Sequence, residues 1–371
     1  MRHPRRARTN GPARLLLVVR AADQIGGLET VVRDAAVELE SPEFRVTLAV
    51  VGDRAAPPIF DGLDVVRADG PTGLRAEVRA SDVLHLHAPT LLAWPTSLLW
   101  TARRHRIPTL VTLHLPAEPR GRHALSRALI WVRRALGAVT LRAAGADVYA
   151  PSSAAASVAR YRLFRLVRVR GLRQGVRDRG VRPPAGRSAL TVAFVGRMVE
   201  HKQPHLLIEA LADARARGVP ISADLVGDGP LLRSLKDRAR ALGLPPQEVR
   251  FHGYLDDPTE VLASSDLLVL PSLSEGCPVV VMEAAALGRA SVVRQGLEGV
   301  DEVLPDAHLT VGPHAGAREL ATRLIELAAD RELVVTTGRR ARAAFESDFS
   351  LAAAGRRYAR AYREAMRAVA P

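Results

Sequence analysis

A single cysteine, Cys277, in 371 residues leaves no partner for an internal disulfide and no set for a cysteine-based metal cluster. A reducing, cytoplasmic setting is the expectation that follows. Long apolar runs are missing as well. None reaches the roughly 18–20 residues that a membrane helix needs, and the apolar stretch 91–101 is interrupted by Pro95. Lysine is nearly absent: only Lys202 and Lys236 stand among 53 Lys plus Arg residues. The net charge of +14 is therefore an arginine charge. Set beside abundant Ala, Gly and Pro, it reads first as a composition bias and a solvated basic surface. Such a surface would still draw anionic membrane or polyanions. There is no G-x-G-x-x-G, no phosphate-loop lysine motif and no D-x-D carboxylate pair, so the common nucleotide and metal signatures are all lacking.

The apolar residues that are present fall into repeated strand and helix patterns. Residues 1–12 form an Arg/Pro/Gly/Asn arm expected to be disordered, with no small-residue cleavage site behind it. Strands are predicted over 15–19, 45–51, 82–87, 108–114 and 146–151, with a helix over 30–39. The segment 121–145 is basic and partly amphipathic. It is expected to pack on the sheet with arginine stems covering the core, a membrane surface being the alternative. A Gly/Pro/Arg-rich linker over 177–187 precedes a second alternation. Its strands are predicted over 190–195, 222–226, 249–253, 266–270, 291–294 and 309–311, and helices close the chain. The fold class is α/β: two doubly wound parallel sheets facing a central cleft. The domains are expected over 13–180 and 181–348, with a final helix in 349–371 turning back toward the first domain.

One stretch, 271–288, concentrates the chemistry. It reads as strand, tight loop and helix, with Glu275 in the loop, Pro278 near the helix start, Glu283 inside an apolar helical run and Gly288 as the stop. Amides at Gly276 and Cys277 would sit at a helix N-terminus, where an anion is favoured. A carboxylate beside an anion site suits a ligand with both hydroxyls and phosphate, such as a sugar nucleotide. In the first half, the glycines of 21–29 form a loop between strand and helix. His87 and His114 stand at the carboxyl ends of strands, where ligands of open parallel sheets bind, although a lone histidine is more often structural.

Taken in order, Gly196-Arg197-x4-Lys202, Gly227-Asp-Gly-Pro230, His252-Gly253-Tyr254 and Glu275-Gly-Cys-Pro-Val-Val-Val-Met-Glu283 resemble the retaining GT-B glycosyltransferases of family 4. So do Gly26-Gly27-x-Glu29, the 82–87 and 111–114 segments and the start of 146–152. The resemblance covers about residues 14–366. It implies a GT-B fold and transfer of a hexosyl group from a nucleoside-diphosphate sugar to an acceptor hydroxyl. It gives Glu275 the donor-sugar hydroxyls and Glu283 the ribose hydroxyls. Arg197 and Lys202 receive the diphosphate, with help from amides at Gly27, Gly276 and Cys277, and Gly26 and Gly227 count among the donor-binding residues. His114 is placed beside the donor sugar. No metal or other cofactor is implied. The partners expected are the nucleotide sugar and a glycan or lipid-linked acceptor, with peripheral contact to an anionic membrane face; nucleic acid is not expected. A basic binding protein for nucleic acid or anionic glycan, or a sugar-nucleotide epimerase on the same fold, are the alternatives. The sequence departs from the family pattern at Gln174-Gly-Val-Arg177 and after Glu302. Those departures touch the hinge and the distal donor pocket.

Overall fold

The computed structural model of the chain describes residues 11–20, 26–52, 58–88, 96–114, 124–152, 156, 159, 165–182, 189–297, 299–304 and 308–369. Most of the basic arm, the loop 21–25 and much of the linker lie outside these residues.

Two parallel sheets organise the chain. In the first, β1 (Ala13–Arg20), β2 (Phe44–Val51), β3 (Val65–Ala68), β4 (Val83–Ala88), β5 (Thr109–Leu113), β6 (Asp147–Ala150) and β7 (Val169–Gly171) lie in the order β3-β2-β1-β4-β5-β6-β7. In the second, β8 (Thr191–Val195), β9 (Ser222–Val226), β10 (Val249–Gly253), β11 (Leu267–Leu270), β12 (Ala290–Arg294) and β13 (Leu309–Val311) lie in the order β10-β9-β8-β11-β12-β13. Strands such as Leu-Leu-Val-Leu are apolar on both faces because helices cover both faces, as an all-parallel sheet requires. Strand order reverses beside β1 and beside β8, and ligands of doubly wound sheets bind at such points. The edge strands β3 and β7 and the helix Thr96–Arg104 were not among the predicted elements.

The last helix, Leu351–Ala368, belongs to the core of the first domain. Ala354, Tyr358, Ala361, Tyr362 and Ala365 are buried with Leu17, Phe44 and Leu110. Burying a large side chain of this kind contributes about 1.5–3 kcal/mol, so two tyrosines and three alanines fix the helix firmly. Phe345 and Phe349, just before it, belong to the core of the second domain. The chain crosses between the domains twice, once between Leu172 and Val176 and once between Phe349 and Ala354. The two crossings touch. Val176 N–H donates to the Phe349 carbonyl at 3.0 Å, and Gly175 is pressed on the same spot: a Cβ there would lie 2.6 Å from the Ser350 carbonyl oxygen.

The helix Ala124–Ala144 does part of what its sequence suggested. Ala138, Leu141 and Ala144 are buried against the sheet, whereas Val132, Leu136 and Val139 form a stripe one turn apart that is more than half exposed. Packing therefore accounts for one face of this helix and leaves an apolar stripe outside.

Candidate active site

Between the domains lies a cleft of about 570 Å³. It is lined by Gly26, Gly27 and His114 from the first domain and by Arg197, Lys202, Gly227, Glu275, Gly276, Cys277 and Glu283 from the second. Residues that are up to 257 positions apart in the chain thus face one space, because each follows the carboxyl end of a parallel strand.

The second wall is made of charge. After β8 the chain runs through Gly196 and Arg197 into a short turn ending at Lys202. Met198 N–H donates to the Asp228 carbonyl at 2.9 Å, which zips this loop to the one after β9. Gly227 sits at φ 132°, and a Cβ there would overlap the Gly196 carbonyl oxygen, so only glycine permits the approach. The Gly227 N–H itself donates to the Gly253 carbonyl at 2.7 Å. Its part is therefore to let the loops meet, with its amide already engaged. Lys202 Nζ lies 2.5 Å from Glu275 Oε1, both side chains being largely buried. Arg197 is exposed into the cleft and has no side-chain partner among the described residues.

Glu275 and Glu283 are held by a helix whose ends are well defined. The helix Val279–Ala286 starts after Pro278, one residue later than expected. Gly288 closes it at φ 72°, with Arg289 N–H on the Ala284 carbonyl at 2.8 Å. Six of its eight residues are buried apolar ones. Glu283 is its one polar residue: its carboxylate turns to the cleft and has no hydrogen-bond partner among the described residues. Burial, then the negative charge of Asp257, pushes it up to about 7. The loop before the helix is gripped from the first domain, Ser152 Oγ donating to the Gly276 carbonyl at 3.1 Å and Gln174 Nε2 to the Cys277 carbonyl at 3.4 Å. With the carbonyls turned toward the first domain, the amides of Gly276 and Cys277 remain at the head of the helix. Burial pushes the Cys277 thiol up to about 12, so it stays protonated and is no nucleophile at neutral pH.

The first wall is largely backbone and neutral side chains; Arg33 also lines it, its charge paired with Asp34 at 3.1 Å. Gly26 caps the helix Gly27–Leu39, and its N–H donates to Glu29 Oε2 at 2.8 Å. That amide is engaged in a capping box, with Glu29 buried and shifted upward by that burial. Gly27 lies against the opposite domain: a Cβ would stand 2.9 Å from Val279 Cγ2. Beyond β5, His114 reaches the cleft, and its Nε2 is 3.3 Å from Nδ1 of the wholly buried His87. His87 itself does not line the cleft. His85, in turn, bonds Tyr362 Oη at 2.7 Å and Thr112 Oγ1 at 2.8 Å. Desolvation lowers all three histidines, His114 to about 4 and His85 to about 3, so none carries charge at neutral pH.

Several lining residues were not singled out from sequence. Tyr254, Leu255, Asp256 and Asp257 follow β10 and form one end of the cleft, and Gln174 reaches it from the domain crossing. The His-Gly-Tyr segment was the one sequence signal for that end. His252 does not line the cleft; its Nε2 bonds Asp224 at 2.7 Å, where Arg250 also bonds the same carboxylate.

Residues 189–330 match the family model described as glycosyl transferases group 1. In sequence, the chain is 34% identical over 163 residues to the lipopolysaccharide core biosynthesis glycosyltransferase LpsE of Rhizobium meliloti, covering 44% of this chain and 46% of that protein. It is likewise 34% identical over 165 residues to the D-inositol 3-phosphate glycosyltransferase of Rhodococcus erythropolis, covering 38% and 36%. The chain spans less than half the length of these curated relatives. Among solved structures, Anabaena Alr3699/HepE in complex with UDP-glucose superposes with a TM-score of 0.71 at 18% identity, over 95% of this chain and 99% of that one. Staphylococcus aureus TarM, in complex with Fondaparinux, alpha-GlcNAc-glycerol and UDP, superposes with a TM-score of 0.73 at 11% identity, over 94% and 99%. The fold is GT-B over nearly the whole chain, and the match to the group 1 glycosyl transferases lies within the second domain, over residues 189–330.

Proposed function

We propose, starting from the match to the group 1 glycosyl transferases within the second domain, that the protein transfers a hexosyl group from a nucleoside-diphosphate sugar to an acceptor hydroxyl with retention, as a family 4 enzyme. The observation that carries this reading is the meeting of Glu275, Lys202, Arg197 and Glu283 with Gly27 and His114 in one cleft between two domains. Glu283, a carboxylate with no hydrogen-bond partner among the described residues, takes the ribose hydroxyls as paired donors. Glu275 takes hydroxyls of the transferred sugar. Arg197 and Lys202 take the diphosphate, aided by the amides at the head of the helix Val279–Ala286. Before the donor arrives, Lys202 and Glu275 neutralise each other; with the donor bound, the lysine also faces phosphate and the glutamate also faces sugar.

In the reaction the bond from the sugar's anomeric carbon to the diphosphate oxygen breaks, and a bond to the acceptor oxygen forms on the same face. The acceptor's proton passes to the departing diphosphate. Negative charge grows on that leaving group, and two fixed cations beside it favour the transition state over the ground state. The protonated Cys277 supplies no covalent nucleophile, in line with direct same-face attack. On this reading the cations do the work for which other transferases hold a metal.

The acceptor is read as a glycan or lipid-linked glycan of cell-surface polysaccharide synthesis, met at the cytoplasmic face of an anionic membrane. The exposed stripe of Val132, Leu136 and Val139 supports the membrane contact, with Arg133 and Arg142 exposed on the same helix. An apolar stripe among cationic side chains fits the interface of an anionic bilayer. No described helix is long and apolar enough to cross a membrane.

The test is calorimetric titration and turnover with a panel of nucleoside diphosphates and their sugars. Binding of one such donor, lost in Glu283→Ala, with turnover lost in both Glu275→Gln and Lys202→Ala, is the expected pattern. Turnover retained in both of the latter variants would overturn the assignment.

A further inference from the structure

His87 and His114 form a hydrogen-bonded pair of rings whose proton positions follow from their partners. Each is neutral, so each carries one ring N–H. His87 is wholly buried; its Nδ1 meets His114 Nε2 at 3.3 Å, and its Nε2 has no hydrogen-bond partner among the described residues. Two arrangements are open. If the His87 proton sits on Nε2, a donor is buried with nothing to receive it, and His114 must donate from its own Nε2. If the proton sits on Nδ1, it is donated to His114, and the leftover at His87 Nε2 is a bare lone pair. Unmet buried N–H groups are rarer than unmet acceptors, and a stranded donor has the full desolvation cost of about 1–3 kcal/mol. The second arrangement wins.

That choice passes on to the cleft. His114 Nε2 then accepts, so the one proton of the His114 ring has to be on Nδ1. No described residue is bonded to that nitrogen, and the ring lines the cleft. We infer that His87, which never reaches the cleft, is a positioning residue that fixes His114 as the Nδ1–H tautomer and so makes it an N–H donor toward an oxygen of the bound donor. The inference rests on the glycosyltransferase reading for the identity of that oxygen, a sugar hydroxyl or a diphosphate oxygen. It does not rest on that reading for the tautomer. His85 backs the arrangement. Its ring lies 4.1 Å from that of His87, and both its nitrogens are tied, to Tyr362 and Thr112. The His87 ring is thereby held between His85 and His114, with the last helix locking the outer end.

The experiment has two independent arms. Long-range proton–nitrogen NMR spectra of 15N-histidine-labelled full-length protein, taken without ligand, report which ring nitrogen of each of the 11 histidines is bare. His114, assigned by its loss in His114→Gln, is expected with Nδ1 protonated and Nε2 bare. In His87→Leu it is expected to move toward the Nε2–H form, and His87→Asn, which keeps a side-chain N–H near the Nδ1 position, is expected to restore the first pattern. The second arm is turnover of UDP-glucose. His87→Leu is expected to lower kcat about 10- to 100-fold with little change in KM, as for a misaimed group, and His87→Asn to recover most of it. A wild-type His114 protonated at Nε2 overturns the inference without any variant being made. So does a folded His87→Leu protein with an unchanged His114 signal or an unchanged kcat. Failure of every sugar nucleotide to turn over, with the tautomer as expected, would instead sink the functional reading and leave the histidine pair standing.

Discussion

The two walls of the cleft solve the same problem with opposite materials. The second domain presents ions: Lys202 against Glu275 at 2.5 Å, Arg197 open to the cleft, and Glu283 on an apolar helix with no hydrogen-bond partner among the described residues. The first presents mainly neutral groups, a glycine backbone and a histidine held far below its ordinary range by burial, and its Arg33 is already paired with Asp34. The difference teaches where discrimination resides on the proposed reading. A wall of ions holds what every nucleotide-sugar donor shares, its phosphates and ribose, and gives long-range attraction. A wall of neutral, directional donors adds little attraction but punishes misplacement, since a buried donor left unmet is costly.

Breaking the ionic wall should have the largest effect. Lys202→Ala is expected to lower turnover of the donor at least about 100- to 1000-fold, as loss of a group that faces developing charge does. Steady-state kinetics checks this, and a change confined to KM would mean that the lysine binds without stabilising the transition state. Glu283→Gln comes next. Donor affinity should fall about 10- to 100-fold, the value of hydrogen bonds to a charged group, by calorimetry. The same variant should make the ligand-free protein more stable. Folding raises this carboxyl from the ordinary value to about 7, so the folded state holds the proton more tightly than the unfolded one. Stability from this group is therefore complete below about pH 4.5 and is lost as pH rises to about 7. Glu283→Gln should cancel that loss and raise Tm at pH 8 but not at pH 4.5; equal melting shifts at both values would contradict the unpaired carboxylate.

The neutral wall should respond less, and without a pH signature of its own. His114→Gln is expected to reduce kcat about 10-fold. Because His114 titrates near 4, the pH–rate profile between 5 and 8 should keep any inflection near 7 in this variant and lose it in Glu283→Gln. Gly27→Val inserts bulk against Val279 and should weaken donor binding a fewfold by holding the cleft open, with little change in Tm. The smallest effect on a soluble donor belongs to Leu136→Glu, which is expected to leave hydrolysis of UDP-glucose unchanged while reducing sedimentation with anionic vesicles.

The same contrast explains what could be read in advance. The ionic wall was legible because a charge inside an apolar run, such as Glu283, or a lysine in an arginine-rich chain, such as Lys202, stands out from its neighbours. Helix ends were legible to within a residue from Pro278 and Gly288. The neutral wall was not. Histidines at strand ends suggested a site, but the bond from His87 to His114 and the one from His85 to Tyr362 join residues 27 and 277 positions apart, and no local pattern encodes such contacts. Gly26 and Gly227 were read as donor-binding residues; both line the cleft, but their N–H groups are engaged within the protein, and their glycine identity serves a capping box and a close approach of loops. The short edge strands β3 and β7 were too brief to carry a period, and the exposed stripe on the helix Ala124–Ala144 became visible only once its other face was seen to be buried.

The contact of the two domain crossings at Gly175, Val176 and Ser350 has a mechanical meaning. Two bodies joined at two separate places can turn only about the line through both, and two joined by a single free thread can take any orientation. Here both threads pass through one bonded point, Val176 to Phe349 at 3.0 Å, with no room for even a methyl group at Gly175. The molecule is thus a pair of jaws on one pin. Any swing of the jaws would turn about this pin and not slide along it, which keeps Gly27 and Glu283 in one register.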